Sequence, residues 1–178
     1  MRFLFPLLAA LAAPFAAALS EADLLGRWLC STSYPEINAK IDDVRIFNAD
    51  GTTTSDGTTI FFIRDGLLQY TMHNEETWKL TDGVLRVETV KSAVERAMPP
   101  RIQKMLDEKP DVAAFEAKMF GVLRGVKAGD AVSLTVDKAD KQQLNMHDER
   151  DNPTECTRAE VKRSEEHTSE LQSLVIIS

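Results

Sequence analysis

Leu68-Gln69-Tyr70-Thr71-Met72-His73, followed by Thr81-Asp82-Gly83 and Leu85-Arg86-Val87-Glu88-Thr89, is the stretch that decides the fold class. Leu68, Tyr70 and Met72 alternate with polar neighbours, as do Leu85, Val87 and Thr89, which is the period of half-buried strands. The Asp-Gly pair at Asp82-Gly83 tolerates the positive φ of a tight hairpin turn, so the two runs read as strands folded back on each other. Further Asp-Gly pairs stand at Asp50-Gly51, Asp56-Gly57 and Asp65-Gly66, and residues 24–90 read as a β meander. Ile37, Ala39 and Ile41 share one parity while Val44 and Ile46 take the other, so a bulge near Asp42-Asp43 is expected. The unbroken apolar run from Ile60 to Ile63 predicts a strand buried on both faces.

The period changes at Pro99-Pro100, where proline suits the first turn of a helix. Ile102, Met105 and Leu106 form one apolar face, and Lys109-Pro110-Asp111 interrupts it, with Asp111 an expected N-cap. Val112, Phe115, Met119 and Val122 recur at helical spacing up to Gly125, an expected C′ residue. The strand pattern returns with Val132, Leu134 and Val136, then Leu144 and Met146, and a last short strand at 154–158 around Cys156. The expected fold is mainly β with a helical insertion at 99–125. It is a small antiparallel β-barrel or half-barrel of about eight strands, with two short amphipathic helices between the sixth and seventh.

Both ends of the sequence are set apart from this domain. Met1-Arg2, the uncharged apolar run Phe3 to Phe15 and the small residues Ala16-Ala17-Ala18 read as a signal peptide at 1–18, cleaved near Ala18. The run is shorter than the roughly 20 apolar residues a membrane span needs, so no stable membrane anchor is expected. Arg163 to Ser173 resembles the in-frame translation of a sequencing-library adapter, and the residues after it fit the adapter's continuation. Residues 163–178 are therefore expected to be a non-native tail, leaving 19–162 as a single domain. The expected location is periplasmic or secreted. Cys30 and Cys156 lie near the two ends of that domain, and an oxidising compartment favours a disulfide between them. The net charge of −7 without a long basic run argues against nucleic acid or an anionic membrane as partner.

Gly26-x-Trp28 on the first strand of the domain resembles the N-terminal motif of lipocalins and lipocalin-like (calycin-type) bacterial barrels. The Phe47 to Thr52 hairpin and the Trp78-Lys79-Leu80 strand are similar to bacterial members of that group. The resemblance implies an antiparallel barrel closed at one end by Trp28, with Gly26 and Trp28 structural and an interior that takes an apolar ligand. At Thr81-Asp82-Gly83, where the family places a Thr-Asp-x motif, the usual aromatic is missing. The helical pair also lies in an unusual place for a lipocalin.

The chemistry on offer is sparse. Met72-His73 and Met146-His147, with Glu75, Glu76 and Asp148 nearby, carry soft and imidazole donors suited to copper. Neighbours on a strand point to opposite faces, however, so the methionines are assigned to the interior, the histidines to the surface, and no metal or cofactor is expected. No Gly-x-Ser-x-Gly elbow is present, the Asn48-Ala49-Asp50-Gly51 stretch fails as a calcium loop, and no catalytic residues are assigned. The helical pair must bury its apolar face, either as permanent packing on the sheet or barrel end or as a movable lid over a cavity. The expected function is non-enzymatic binding of a small apolar molecule, with Leu68, Tyr70, Met72, Leu85, Val87, Phe115 and Met119 as candidate lining. The alternative is a protein-binding module, a proteinase inhibitor or a partner of another envelope protein in assembly.

Overall fold

Turn chemistry and alternation build the expected meander, and the strands close on themselves. The computed structural model describes residues 19–159, so the expected signal peptide and the expected tail lie outside the described residues. The strands are β1 (Gly26–Tyr34), β2 (Ala39–Phe47), β3 (Thr52–Ile63), β4 (Gly66–Thr81), β5 (Val84–Arg96), β6 (Ala131–Ala139), β7 (Gln143–His147) and β8 (Pro153–Arg158). Each pairs antiparallel with the next, and β8 returns to β1 to close a barrel. The helices are α1 (Glu21–Leu24), α2 (Pro100–Glu108) and α3 (Pro110–Arg124). Among the described residues no helix is long and apolar enough to cross a membrane.

The helical pair follows the fifth strand rather than the sixth, because one Asp-Gly pair is not a turn. Asp82 and Gly83 take φ of 51° and 78° and make the expected hairpin. Asp56-Gly57 instead lies inside the long strand β3. A Cβ on Gly57 would come within 2.5 Å of the Asp42 carbonyl oxygen and of Asp43 Cβ, so this glycine serves close approach of β2. β2 itself pairs without interruption on both sides, and no bulge occurs at Asp42-Asp43. Asp43 and Arg45 therefore face inward and Val44 and Ile46 outward, the reverse of the parity their hydrophobicity suggests. Extra residues sit instead at Val90 on β5 and Asp137 on β6. β3 also alternates where burial on both faces was expected, with Phe61 buried and Phe62 half exposed.

α2 buries the expected face of Ile102, Met105 and Leu106. α3 differs in detail. Lys109 is its cap and Asp111 falls within its first turn, while Gly125 has φ of −75° and is right-handed. Its packed side carries Val112, Met119, Phe120 and Leu123, and Phe115 and Val122 are exposed. The rotation has a cause: Glu116 is drawn inward to a double contact with Arg96, at 2.8 and 3.1 Å, and accepts a hydrogen bond from the Tyr70 hydroxyl.

The ring is complete at one end only. β5 pairs with β6 over Val84–Glu88, and β8 pairs with β1 over Trp28–Thr32. Beyond these points β1 to β5 continue as an open sheet, and α2 and α3 pack on its interior side in place of β6 to β8. Two apolar clusters result. Leu24, Trp28, Phe47, Trp78, Leu85, Val87, Leu134, Leu144 and Met146 fill the closed end. Ala39, Phe61, Leu68, Tyr70, Ile102, Met105 and Leu106 fill the flared end under the helices.

Candidate functional site: a polar cavity between two apolar clusters

Inward positions near the middle of β2, β3 and β4 carry polar side chains, and these keep the two clusters apart. A cavity of about 110 Å³ lies there, bordered by Thr32 and Tyr34 of β1, Asp43 and Arg45 of β2, Ser55 of β3 and Met72 and Asn74 of β4. Cys30, Ile41, Gly57, Val132, Leu134, Met146, Thr154 and the Asp148 turn complete its wall.

Asp43 organises the polar side of the cavity. The Ser55 hydroxyl donates to its Oδ2 at 2.5 Å, and Arg45 Nε donates to the same oxygen at 3.3 Å. Arg45 Nη1 also stands 3.3 Å from Glu76 Oε2, off the hydrogen-bonding direction, so that buried oxygen has no hydrogen-bond partner among the described residues. The hydroxyl of Thr53, directly opposite Glu76 on β3, is likewise buried and without a partner. Burial pushes the Glu76 carboxyl above its ordinary value, against the opposing pull of Arg45. Burial would lower the Arg45 guanidinium, but Glu76 and then Asp43 outweigh it and hold the group charged. The Tyr34 phenol is raised by burial first and by the Asp148 charge second. Thr32 and Thr154 share a hydrogen bond of 2.9 Å, and Ser92 donates to Asn74 Oδ1 at 2.7 Å.

Of the expected lining residues, only Met72 borders this cavity. Leu85 and Val87 are fully packed in the closed-end cluster, and Leu68 and Tyr70 in the flared-end cluster. Met119 packs against the flared-end cluster from α3, and Phe115 points to solvent. Asp43, Arg45 and Ser55 were missed because alternation scored by hydrophobicity turns β2 inside out. A usable signal was present in the cross-strand register, since Arg45 and Ser55 stand opposite each other.

The cysteines are joined. Cys30 and Cys156 face each other directly across β1 and β8 and form a disulfide. Met72 and Met146 are interior, and Met72 Sδ accepts a hydrogen bond from Thr59 at 2.7 Å. His73 and His147 are on the outside, paired with Asp56 and Asp137. Among the described residues no group of three or more His, Cys, Asp or Glu side chains is arranged to hold a metal ion. At the closed end Trp28 is wholly buried, donates through Nε1 to the Leu24 carbonyl at 2.7 Å and is covered by the Arg158 guanidinium at 4.0 Å. Gly26, with φ of 108°, leaves the room Arg158 needs.

Comparison of the chain with protein-family models and with curated proteins finds no match to either.

Proposed function

We propose that this chain is an exported, non-enzymatic, lipocalin-like barrel that holds a small ligand in its interior cavity. The ligand is smaller and more polar than the apolar molecule expected from the sequence. The observation that carries this reading is the Asp43–Arg45–Ser55 group on the wall of a cavity whose remaining wall is largely apolar. Small-ligand sites have this composition, an apolar surround with a few fixed polar groups that set orientation. The size limits the occupant. An engineered cavity of about 150 Å³ takes a benzene ring, and drug-sized ligands need roughly 300 Å³ or more. A cavity of about 110 Å³ suits a molecule of a few heavy atoms bearing a hydroxyl, amide or charged group. The leader-like sequence at 1–18 and the Cys30–Cys156 disulfide support export to a periplasm or beyond.

Native mass spectrometry of protein expressed into a periplasm, compared with the same sample denatured, tests the reading. The wild type is expected to carry a small adduct that is lost on denaturation. Asn74→Leu, which fills part of the cavity from β4, is expected to return the bare mass with the fold intact. A bare wild-type mass, with no thermal shift from a library of small polar molecules, would sink the proposal.

A further inference from the structure

We propose that two copies of this chain associate by antiparallel pairing of their β5 edges, in a register centred on Ala93. The opening of the ring leaves this edge bare. β6 pairs with β5 only as far as Glu88, and the bonds between Thr89 and the Gly129-Asp130 turn are the last on that side. Among the described residues, β4 is the only paired neighbour of the strand from Lys91 to Arg96.

The hydrogen-bonding phase of the free side follows from one contact. Ala97 N–H donates to the Gln69 carbonyl at 2.9 Å, one step beyond the Tyr70–Arg96 pair that ends the ladder, which continues its register. In an antiparallel pair the residues that exchange bonds alternate. Ala97, Glu95, Ala93 and Lys91 therefore turn their backbone groups to β4, and Ser92, Val94 and Arg96 turn theirs to the free side. No backbone bond within the described residues reaches Ser92 or Val94 from that side. A groove runs beside this edge, with Leu123, Arg124 and Val126 forming its other wall.

The side chains select the occupant. Lys91, Ala93 and Glu95 are exposed and share the outward face. With two copies antiparallel and Ala93 on the two-fold axis, Ser92 of each copy opposes Val94 of the other, and both present free backbone groups. Lys91 of each copy then opposes Glu95 of the other, twice per dimer. Centring on Ser92 or on Val94 leaves both charges facing other residue types. A single edge lysine and a bulge such as that at Val90 are common protections against edge pairing, because lysine repels its own copy. Glu95 at the mirror position converts that repulsion into complementarity. Opposite charges directly across strands stabilise a pair and like charges destabilise it. The exposed apolar residues Val90 and Val126 flank the segment and would be covered in the pair.

Sedimentation equilibrium of the protein produced by periplasmic expression tests this. The wild type is expected to dimerise reversibly. Glu95→Lys sets like charges against each other twice and is expected to weaken the dimer about tenfold. The double variant Lys91→Glu, Glu95→Lys restores opposite charges across the pair and is expected to bind more tightly than Glu95→Lys alone, with recovery held below wild type by Glu75, which Lys91 contacts at 3.2 Å. Val94→Pro removes an N–H that no backbone bond among the described residues uses; it also loses packing against the flared-end cluster, so it is expected to lower the melting temperature somewhat while giving a monomer with an unchanged circular dichroism spectrum. A wild type that stays monomeric at all concentrations overturns the proposal, and so does a dimer of equal affinity in wild type, single and double charge variants.

Discussion

The two ends of the barrel enclose cores of similar composition by different means. At the closed end all eight strands meet, ladder hydrogen bonds run round the ring, and the Cys30–Cys156 disulfide ties the first strand to the last. At the flared end α2 and α3 stand where β6 to β8 would be, and only side chains hold them. Tyr70 stacks on Phe120 with ring centroids 5.8 Å apart, and the Arg96 guanidinium lies 3.7 Å over the same ring while gripping Glu116. Lys109 reaches Asp65 at 2.6 Å from the helix junction. A wall closed by backbone bonds opens only with the whole domain. A wall made of docked helices can separate at lower cost, as local openings do where backbone bonds are few.

Breaking the closure of the ring is expected to have the largest effect. The disulfide spans a sequence separation of 126 residues, and a loop of that length corresponds to roughly 4–5 kcal/mol in the chain-entropy model. Replacing both cysteines with serine should lower the unfolding free energy of the entire domain by about that amount and bring the urea midpoint down accordingly, with tryptophan fluorescence and circular dichroism moving together. A loss confined to the helical signal would show that the distinction between the ends is drawn in the wrong place.

The helix dock comes next. Glu116→Ala removes the partner of Arg96 and leaves the buried Tyr70 hydroxyl without its acceptor, at a cost of about 2 kcal/mol. Arg96 is half exposed and can turn to water, which limits the loss. Hydrogen exchange is the sharper measurement. Amides of residues 100–124 should exchange faster, while those of β1, β7 and β8 keep their protection. Uniform acceleration across the domain would mean that both ends form one cooperative unit and that the helices are as firmly built in as the strands.

Legibility in the sequence divides along the same line. The hairpins, the alternation of β4 and β5, the two helices and the disulfide are local or pairwise facts, and turn residues and apolar periods report them. The inward charge of Asp43 and Arg45 is not local. It is tolerable only because Ser55 of β3 and Glu76 of β4 stand beside it, and no window on β2 contains that information. The exposed Phe115 and buried Glu116 rotate the packed face of α3 away from the expected one for the same reason, since Arg96 lies twenty residues earlier on another element. Gly57 reads as a turn residue because a close strand approach and a positive φ both call for glycine. The interior polar site was thus hidden by the polarity that makes it a candidate site.

Glu76 sits between the two clusters, and its titration gives the smallest and most diagnostic effect. Burial holds its folded pKa above the unfolded value of about 4.3. A group raised in this way contributes stability that is fully present below the unfolded pKa and is lost as pH rises through the folded one. Glu76→Gln removes that loss. It also brings an amide donor beside the Thr53 hydroxyl, which has no partner among the described residues. Relative to wild type, the variant should be equal or weaker near pH 4 and gain on it steadily as pH rises toward 7 in urea unfolding. A gap that moves the other way would show that attraction to Arg45 outweighs burial. The Asp43–Arg45–Glu76 group would then act as a clamp on the closed end rather than as a polar wall strained by its enclosure.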